Sequence, residues 1–226
     1  MRSLRQVWTV AAKDLAIELR TKESLNAAGA FSIVTLVLFS FVFDPFSDTT
    51  KEIGGGLLWL VFVFAGALVF NRGFARELPN ECLDALMSSP LPAGSLLMGK
   101  AIANFAMLLV VEVISLVVFG IFYDVTWTHH LPLLAAVFAL GTWGISVMGS
   151  VFGALTVNLR LRELMLPVII YPMLVPLLIG ASELTGSLLS AQPVDPGNLI
   201  WFRVLIFFDI VVSALALLLA DTILVN

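Results

Sequence analysis

The chain has 226 residues, of which 60% are hydrophobic and only 12% are charged, with a formal net charge of −4. Soluble domains carry about 25% charged residues, so this chain lacks the polar side chains that would cover a soluble fold. Six membrane-spanning helices of about 20 residues each would use about half of the chain. The composition therefore excludes a soluble enzyme, a nucleic-acid-binding protein and a disordered protein.

The first 24 residues predict an amphipathic helix at the membrane surface. Apolar residues recur there every three or four positions, at Leu4, Trp8, Ala11, Leu15 and Leu19. Arg2, Gln6 and Lys13 fall on the opposite side, and Glu18, near the edge of the apolar face, interrupts the pattern. Charged residues exclude a cleavable signal sequence. Such a helix is suited to the headgroup region. An ordinary polar segment leading into the first span is the alternative.

Six apolar runs follow and predict an all-α integral membrane fold in a single membrane domain, 1–226. The spans are expected at about 25–43, 53–71, 101–123, 132–157, 164–181 and 204–225. These runs are too long for the alternating strands, about ten residues each, of a membrane β-barrel.

The distribution of basic residues predicts the orientation. If the N-terminus is cytoplasmic, all 12 Lys and Arg residues except Lys51 and Arg203 lie on the cytoplasmic side. Cytoplasmic loops of membrane proteins are enriched in these residues. The sequence therefore predicts a bacterial inner-membrane protein with both termini in the cytoplasm.

The polar segment 72–100 between the second and third spans contains a predicted short helix. Glu77 and Glu81 suit the positive end of a helix, and Pro90 would end it. Three apolar side chains share one face, namely Leu83, Leu86 and Met87. That face would contact either the bilayer surface or a docked protein. Spacing alone leaves both possibilities open.

No motif predicts catalysis by this chain. The glycine run 54–56 is not followed by the Lys-Ser/Thr pair of a phosphate-binding loop, and no Walker motif occurs elsewhere. Cys82 is the only cysteine, which excludes an internal disulfide and any site with several cysteine ligands. We therefore expect no enzymatic activity and no metal site.

Two acidic residues and three prolines lie within the predicted spans. Glu112 and Asp209 are costly in a bilayer and are expected to face the bundle interior. They would serve either a structural role or a substrate or proton path. Three prolines in the fifth span predict a kink, used either for packing or as a hinge: Pro167, Pro172 and Pro176.

The two histidines, His129 and His130, are adjacent in a short outside loop. In the fourth span, small residues including Gly149 and Gly153 predict close helix packing.

The order Glu77, Leu83, Leu86, Ser89-Pro90 and Gly99-Lys100 resembles the coupling-helix segment of ABC-2-type permeases. Further stretches narrow the resemblance to the heme exporter protein B family, the permease-like membrane subunits of the cytochrome c maturation system. These stretches are Leu57-Leu58-Trp59, Leu140-Gly141-Thr142, Ala154-Leu155-Thr156 and Pro172 with Pro176-Leu177-Leu178-Ile179. The resemblance covers about residues 18–181.

The resemblance implies a permease subunit, with no bound cofactor of its own, that works with a separate cytoplasmic ATP-binding dimer. The dimer would press on residues 81–87, and ATP would bind to that partner. The residues assigned to this coupling are Arg76, Glu77, Glu81, Leu83, Leu86, Met87, Pro90 and Lys100.

Further partners implied by the resemblance are a second permease copy or another membrane subunit, a membrane heme-handling subunit and a periplasmic heme chaperone. Heme would be the substrate handled by the complex. His129 and His130 are then candidate heme ligands, because imidazole binds heme iron. Neighbouring side chains point in different directions, which makes it hard for both to bind one iron. The complex would either export heme or release the loaded chaperone. Two alternatives are a proton-coupled secondary carrier using Glu112 or Asp209, and a non-transporting scaffold of a heme-ligation complex.

Overall fold

The computed structural model describes residues 2–44, 47–77, 91–123, 131–156, 162–189 and 197–225. These residues form seven α-helices: α1 (Arg2–Thr21), α2 (Glu23–Val42), α3 (Asp48–Ala75), α4 (Ala93–Tyr123), α5 (Leu131–Thr156), α6 (Arg162–Leu189) and α7 (Asn198–Val225). The helices α2 to α7 are long and apolar enough to cross a membrane. The all-α fold with six apolar helices confirms the prediction, and the chain is a multi-pass membrane protein.

Several helices extend beyond the predicted spans. Helix α3 continues to Ala75, and α4 begins at Ala93, so both ends of the predicted loop 72–100 are helical. Helix α6 continues to Leu189 instead of ending near residue 181. The predicted spans ended at the first charged residues. In the structure Arg72 and Lys100 lie within helices and form ion pairs there.

Helix α5 lies in the middle of the bundle, in contact with α3, α4, α6 and α7. Helix α3 packs mainly against α6, and α2 packs against α3 and α4. The N-terminal helix α1 lies against α4. There Gly99 permits close approach, because a Cβ at this position would lie 2.6 Å from the Cβ of Val10.

Aromatic side chains of α3 fill the glycine positions of α5. A Cβ at Gly141 would lie 2.1 Å from the indole of Trp59, and one at Gly149 would lie 2.3 Å from the ring of Phe70. The Trp59 Nε1 donates to Thr185 Oγ1 at 2.9 Å, so the indole is held between α5 and α6. The small residues of α5 therefore permit close packing by admitting these rings.

Large apolar side chains cover the outside of the bundle. On α4 and α7 the exposed ones include Val110, Val113, Val117, Ile121, Ile206, Phe207, Ile210 and Leu218. A soluble monomer rarely exposes apolar patches of this extent. This surface is the part of the molecule that suits contact with lipid.

Candidate functional site

Four charged side chains from α1, α4 and the turn that follows α3 meet at one end of the bundle and form a closed ring of ion pairs. Lys13 Nζ lies 2.5 Å from Glu77 Oε1 and 3.2 Å from Asp14 Oδ1. Lys100 Nζ lies 3.0 Å from Glu77 Oε1 and 3.2 Å from Asp14 Oδ2. Each lysine therefore contacts both carboxylates, and the four formal charges cancel. We refer to Lys13, Asp14, Glu77 and Lys100 as the charge ring.

Lys100 is the most buried member of the charge ring, with only 1% of its side chain exposed. Its ammonium also donates to the Gly73 carbonyl oxygen at 2.9 Å and lies 4.6 Å from the centre of the Phe74 ring. A buried ammonium is costly unless it is paired and hydrogen-bonded. Both conditions are met here, so α4 is tied to the end of α3 and to α1.

Lys13 lies at the outer edge of the charge ring. Burial alone would lower the pKa of Lys13, but its hydrogen bond to Glu77 and the charges of Asp14 and Glu77 outweigh burial and raise the pKa. Lys13 is therefore held in its charged form, which the two carboxylates require for neutrality.

A second pair lies beside the charge ring and joins α1 to the end of α3. Arg76 Nη2 lies 2.6 Å from Glu18 Oε2 and donates to Ser24 Oγ at 3.0 Å. The backbone N–H of Leu25 donates to Glu18 Oε1 at 2.9 Å. Burial tends to raise the pKa of Glu18, but the Leu25 N–H and Arg76 outweigh burial and lower it. This carboxylate therefore remains charged although its side chain is only 1% exposed.

The link between α1 and α2 places these groups together. Lys22 adopts a left-handed conformation, with φ 54°, between the two helices. This conformation is uncommon for a residue other than glycine, and here it lets α2 leave α1 within one residue. The turn brings Ser24 and Leu25 back to Glu18.

Two carboxylates lie inside the bundle among the spanning helices. Thr142 Oγ1 donates to Glu112 Oε1, which joins α5 to α4. Glu112 Oε2 and both carboxylate oxygens of Asp209 are buried without a hydrogen-bond partner in the described part of the chain. Asp209 lies against α5, because a Cβ at Gly144 would be 2.7 Å from its Oδ1. Both carboxylates thus face the interior, as expected.

Comparison with known proteins identifies the family. A sequence model of the CcmB protein family matches residues 5–223, nearly the whole chain. The chain belongs to the CcmB protein family. Relatives named heme exporter protein B are similar to it in Paracoccus denitrificans, at 30% identity over 182 residues, and in Rhodobacter capsulatus, at 30% identity over 172 residues. These matches cover 80% and 76% of this chain and 83% and 78% of the relatives.

A more distant relative of the same name occurs in Escherichia coli strain K12. It is 24% identical over 189 residues, which cover 83% of this chain and 85% of that protein. The similarity therefore extends across most of the membrane domain in each case. The family resemblance expected from the sequence is confirmed.

Within this CcmB family member, three of the predicted coupling residues are turned toward α1. Glu77 and Lys100 are members of the charge ring, and Arg76 pairs with Glu18. The other predicted coupling residues lie outside the described residues, namely Glu81, Leu83, Leu86, Met87 and Pro90. The coupling role of the whole set therefore stays a prediction.

The amphipathic pattern of the sequence did not predict the partners on α1. Glu18 appeared only as an interruption of the apolar pattern, and Lys13 was placed on the side opposite the apolar face. The available signal was that Asp14 and Glu18 lie four residues apart on the same side of the helix as Val10. In the structure Val10, Ala11 and Glu18 are buried, whereas Leu4, Trp8 and Leu19 are exposed.

The other predicted site residues are placed as follows. Pro167, Pro172 and Pro176 lie inside α6, which is continuous from Arg162 to Leu189, and the last two are on the exposed surface. Their use as a kink or hinge stays a prediction. His129 and His130 lie outside the described residues.

Proposed function

We propose that this chain is the membrane subunit of an ABC complex that handles heme for the biogenesis of c-type cytochromes in the bacterial inner membrane. The observation that supports this proposal most is the CcmB family match over residues 5–223, together with relatives named heme exporter protein B. The complex exports heme to the periplasm and releases the loaded heme chaperone. The energy comes from a separate cytoplasmic ATPase.

The charges at one end of the bundle support a cytoplasmic location for that end and for both termini. Lys13, Arg72, Arg76 and Lys100 all contribute to the ion pairs there. An excess of basic residues is typical of the cytoplasmic side. Helix α1 lies in the interface, with its exposed Leu4, Trp8 and Leu19 among the lipid headgroups and its charged side against the bundle.

The segment 78–90 is proposed to be the docking element for the ATPase dimer. It follows directly after Glu77, and the helix that follows it contains Lys100, so both neighbouring elements belong to the charge ring. A force that the ATPase exerts on this segment would act on α1, α3 and α4 together. A second copy of the chain or another membrane subunit completes the permease, next to a heme-handling subunit and the periplasmic chaperone.

A docking variant tests the proposal. Leu83→Asp with Leu86→Asp places two charges in the expected contact, where an unpaired buried charge is costly. We expect the variant to reach the membrane, to lose the ATPase in pull-down from solubilised membranes, and to abolish c-type cytochrome production in a strain that lacks its own copy. Thr21→Asp with Asn26→Asp is the control, because both positions are exposed near the same end of the bundle.

Retention of the ATPase together with normal cytochrome production by the docking variant would contradict docking through this segment. Failure of the wild-type chain to restore c-type cytochromes in the presence of its ATPase would contradict the proposed function as a whole. The control variant must behave like the wild type in both assays.

A proton-coupled secondary carrier is the second candidate, supported by the buried Glu112 and Asp209. Glu112→Gln discriminates between the two candidates. Glutamine retains an oxygen that accepts from Thr142 but cannot exchange a proton. We expect Glu112→Gln to support cytochrome production at close to the wild-type level. Loss of activity in Glu112→Gln, with normal amounts of protein and retention of the ATPase, would favour the carrier.

A further inference from the structure

A cavity of about 680 Å³ opens beside the charged end of the bundle, between the start of α2, the end of α3 and the start of α6. It is lined by Glu23, Leu68, Asn71, Arg72, Ala75, Arg76 and Leu164. Its volume is in the range of about 300–1,000 Å³ that is typical of small-molecule sites. None of the roles described above uses it.

The polar wall of the cavity contains two arginines, each paired through one terminal nitrogen. Arg72 Nη1 lies 2.6 Å from Glu23 Oε2, and Arg76 Nη2 lies 2.6 Å from Glu18 Oε2. A guanidinium has five N–H donors, so each arginine retains donors for another anion. Asn71 also lines this wall, next to Arg72 in the sequence.

The pair Arg72–Glu23 is the weaker of the two. The exposed fractions of these side chains are 44% and 60%, and exposed ion pairs of this kind contribute little to stability. Glu23 can therefore turn into solvent and leave Arg72 to a bound anion. Arg76, by contrast, is held by the buried Glu18 and stays in place.

Part of the lining is apolar, and a cluster of aromatic rings lies one turn away along α3. Leu68 and Leu164 line the cavity, and Phe64 lies one turn further along α3. The Phe64 ring centre is 4.9 Å from that of Tyr171 and 6.2 Å from that of Phe31. The eight helical steps from Phe64 to Arg72 correspond to about 12 Å along the helix axis. Cationic and aromatic surfaces thus lie within the length of one small molecule.

We propose that this cavity binds an amphipathic anion, with its acidic groups on Arg72 and Arg76 and its apolar body along Leu68 and Phe64. Charged hydrogen bonds to a guanidinium suit both carboxylate and phosphate groups. The anion is therefore either a porphyrin, through its propionate carboxylates, or an acidic phospholipid, through its phosphate. The porphyrin source rests on the proposed function, whereas the phospholipid source does not.

The test uses the full-length chain in nanodiscs of phosphatidylcholine. In the first arm, fluorescence titration compares zinc protoporphyrin with its dimethyl ester, which lacks the acidic groups. In the second arm, native mass spectrometry compares retention of phosphatidylglycerol with retention of phosphatidylcholine. The variants are Arg72→Gln, Arg72→Lys and Glu23→Gln, with Arg20→Gln as the control because Arg20 is exposed on α1 away from the cavity lining.

We expect the wild-type chain to prefer the acidic probe in one of the two arms. Arg72→Gln should weaken binding of that probe about tenfold or more, as expected for the loss of a charged hydrogen bond. Arg72→Lys should recover part of the affinity, and Glu23→Gln should tighten binding because it removes the competing carboxylate. Arg20→Gln should bind like the wild type.

A preference for the free acid of protoporphyrin identifies the porphyrin source, and a preference for phosphatidylglycerol identifies the lipid source. The proposal is overturned if the chain prefers no acidic probe in either arm. It is also overturned if Arg72→Gln and Glu23→Gln leave the preference unchanged. Should Arg72→Gln fail to fold, Glu23→Gln and Arg72→Lys still decide the outcome.

The cytochrome assay separates failure of this site from failure of the proposed function. If cytochrome production is normal but the chain prefers neither acidic probe, the binding site is rejected and the proposed function is unaffected. If the chain prefers the acidic lipid but does not restore cytochromes, the cavity is supported as a lipid site and the proposed function is rejected.

Discussion

Removal of the Lys100 ammonium is the most direct test of the charge ring. Lys100→Met keeps much of the length of the side chain but leaves Asp14 and Glu77 with Lys13 as their remaining partner in the ring. The ammonium contacts these carboxylates at 3.2 Å and 3.0 Å and the Gly73 carbonyl at 2.9 Å, with 1% of the side chain exposed. All three contacts are lost together in this variant.

The expected cost follows from this burial. Removal of one member of a buried ion pair destabilises proteins by about 3–5 kcal/mol. Lys13 still contacts both carboxylates and is 39% exposed, which favours the lower end of that range, about 3 kcal/mol. A change of 1 kcal/mol shifts the melting temperature of a chain of this size by about 2–4 °C. Lys100→Met should therefore melt about 6–12 °C lower than the wild type.

The assay compares melting in mild detergent with hydrogen–deuterium exchange in nanodiscs. Exchange should increase in α1 more than in the spanning helices, because the charge ring holds α1 to α4. Arg72→Gln is the control for stability, since it breaks an exposed ion pair whose expected worth is at most about 1 kcal/mol. Glu77→Gln added to Lys100→Met should cost less than the two single changes together, because it removes the unmatched carboxylate.

Two results together would show that the charge ring does not hold α1. Lys100→Met would melt within about 2 °C of Arg72→Gln, and α1 would exchange as in the wild type. Such a result would mean that α1 is held by apolar contacts such as those of Val10 and Gly99 alone.

Three further predictions concern other parts of the structure. Because Glu18 has a lowered pKa, its stabilising contribution is present above the unfolded value of about 4.3 and is lost as the pH falls through the lower folded value. The difference in melting temperature between wild type and Glu18→Gln should therefore shrink in acid; a constant difference would contradict the ion pair. Gly141→Ala should cost about 1–3 kcal/mol because it displaces the indole of Trp59, whereas Gly29→Ala, with nothing within 4 Å of the new Cβ, should not destabilise; equal melting temperatures would refute this. Gly99→Ala should loosen α1, seen as faster exchange in α1, and unchanged exchange would refute the close approach.

The spans could be predicted because lipid imposes a simple rule on the sequence: long apolar runs become helices. The ends of the helices could not be predicted in the same way. A lysine such as Lys100 reads as the end of an apolar run, but in the structure it lies in the second turn of α4 with partners on two other helices. Those partners are distant in sequence, so no local pattern identifies them.

The same limit applies to the packing of the bundle. The glycines of α5 were visible as a small face, but nothing in the sequence around Gly141 identifies Trp59 as the group that fills it. Likewise, Glu18 looked like an error in an amphipathic pattern because the pattern assumes that one side of α1 faces water. In the structure that side faces Arg76 and Ser24. A charged residue that breaks such a pattern is thus itself a signal for a buried partner.

The position of the charge ring relates it to the predicted docking segment. Glu77 immediately precedes the segment 78–90, and Lys100 lies about two turns into the helix that follows it. A displacement of Glu77 or of Lys100 relative to α1 would stretch contacts of about 3 Å between buried charges, which are costly to separate. If the segment docks the ATPase as proposed, α1 is expected to move with these two residues.

Two variants separate docking from transmission. The variant with Leu83→Asp and Leu86→Asp should lose the ATPase. Lys100→Met should retain the ATPase but support less cytochrome production, because α1 loses its ion pair to α4. Pull-down and cytochrome content, measured on the same membranes at equal amounts of the chain, distinguish these outcomes. If Lys100→Met retains the ATPase and produces cytochromes at the wild-type level, α1 is an anchor for the bundle and takes no part in transmission.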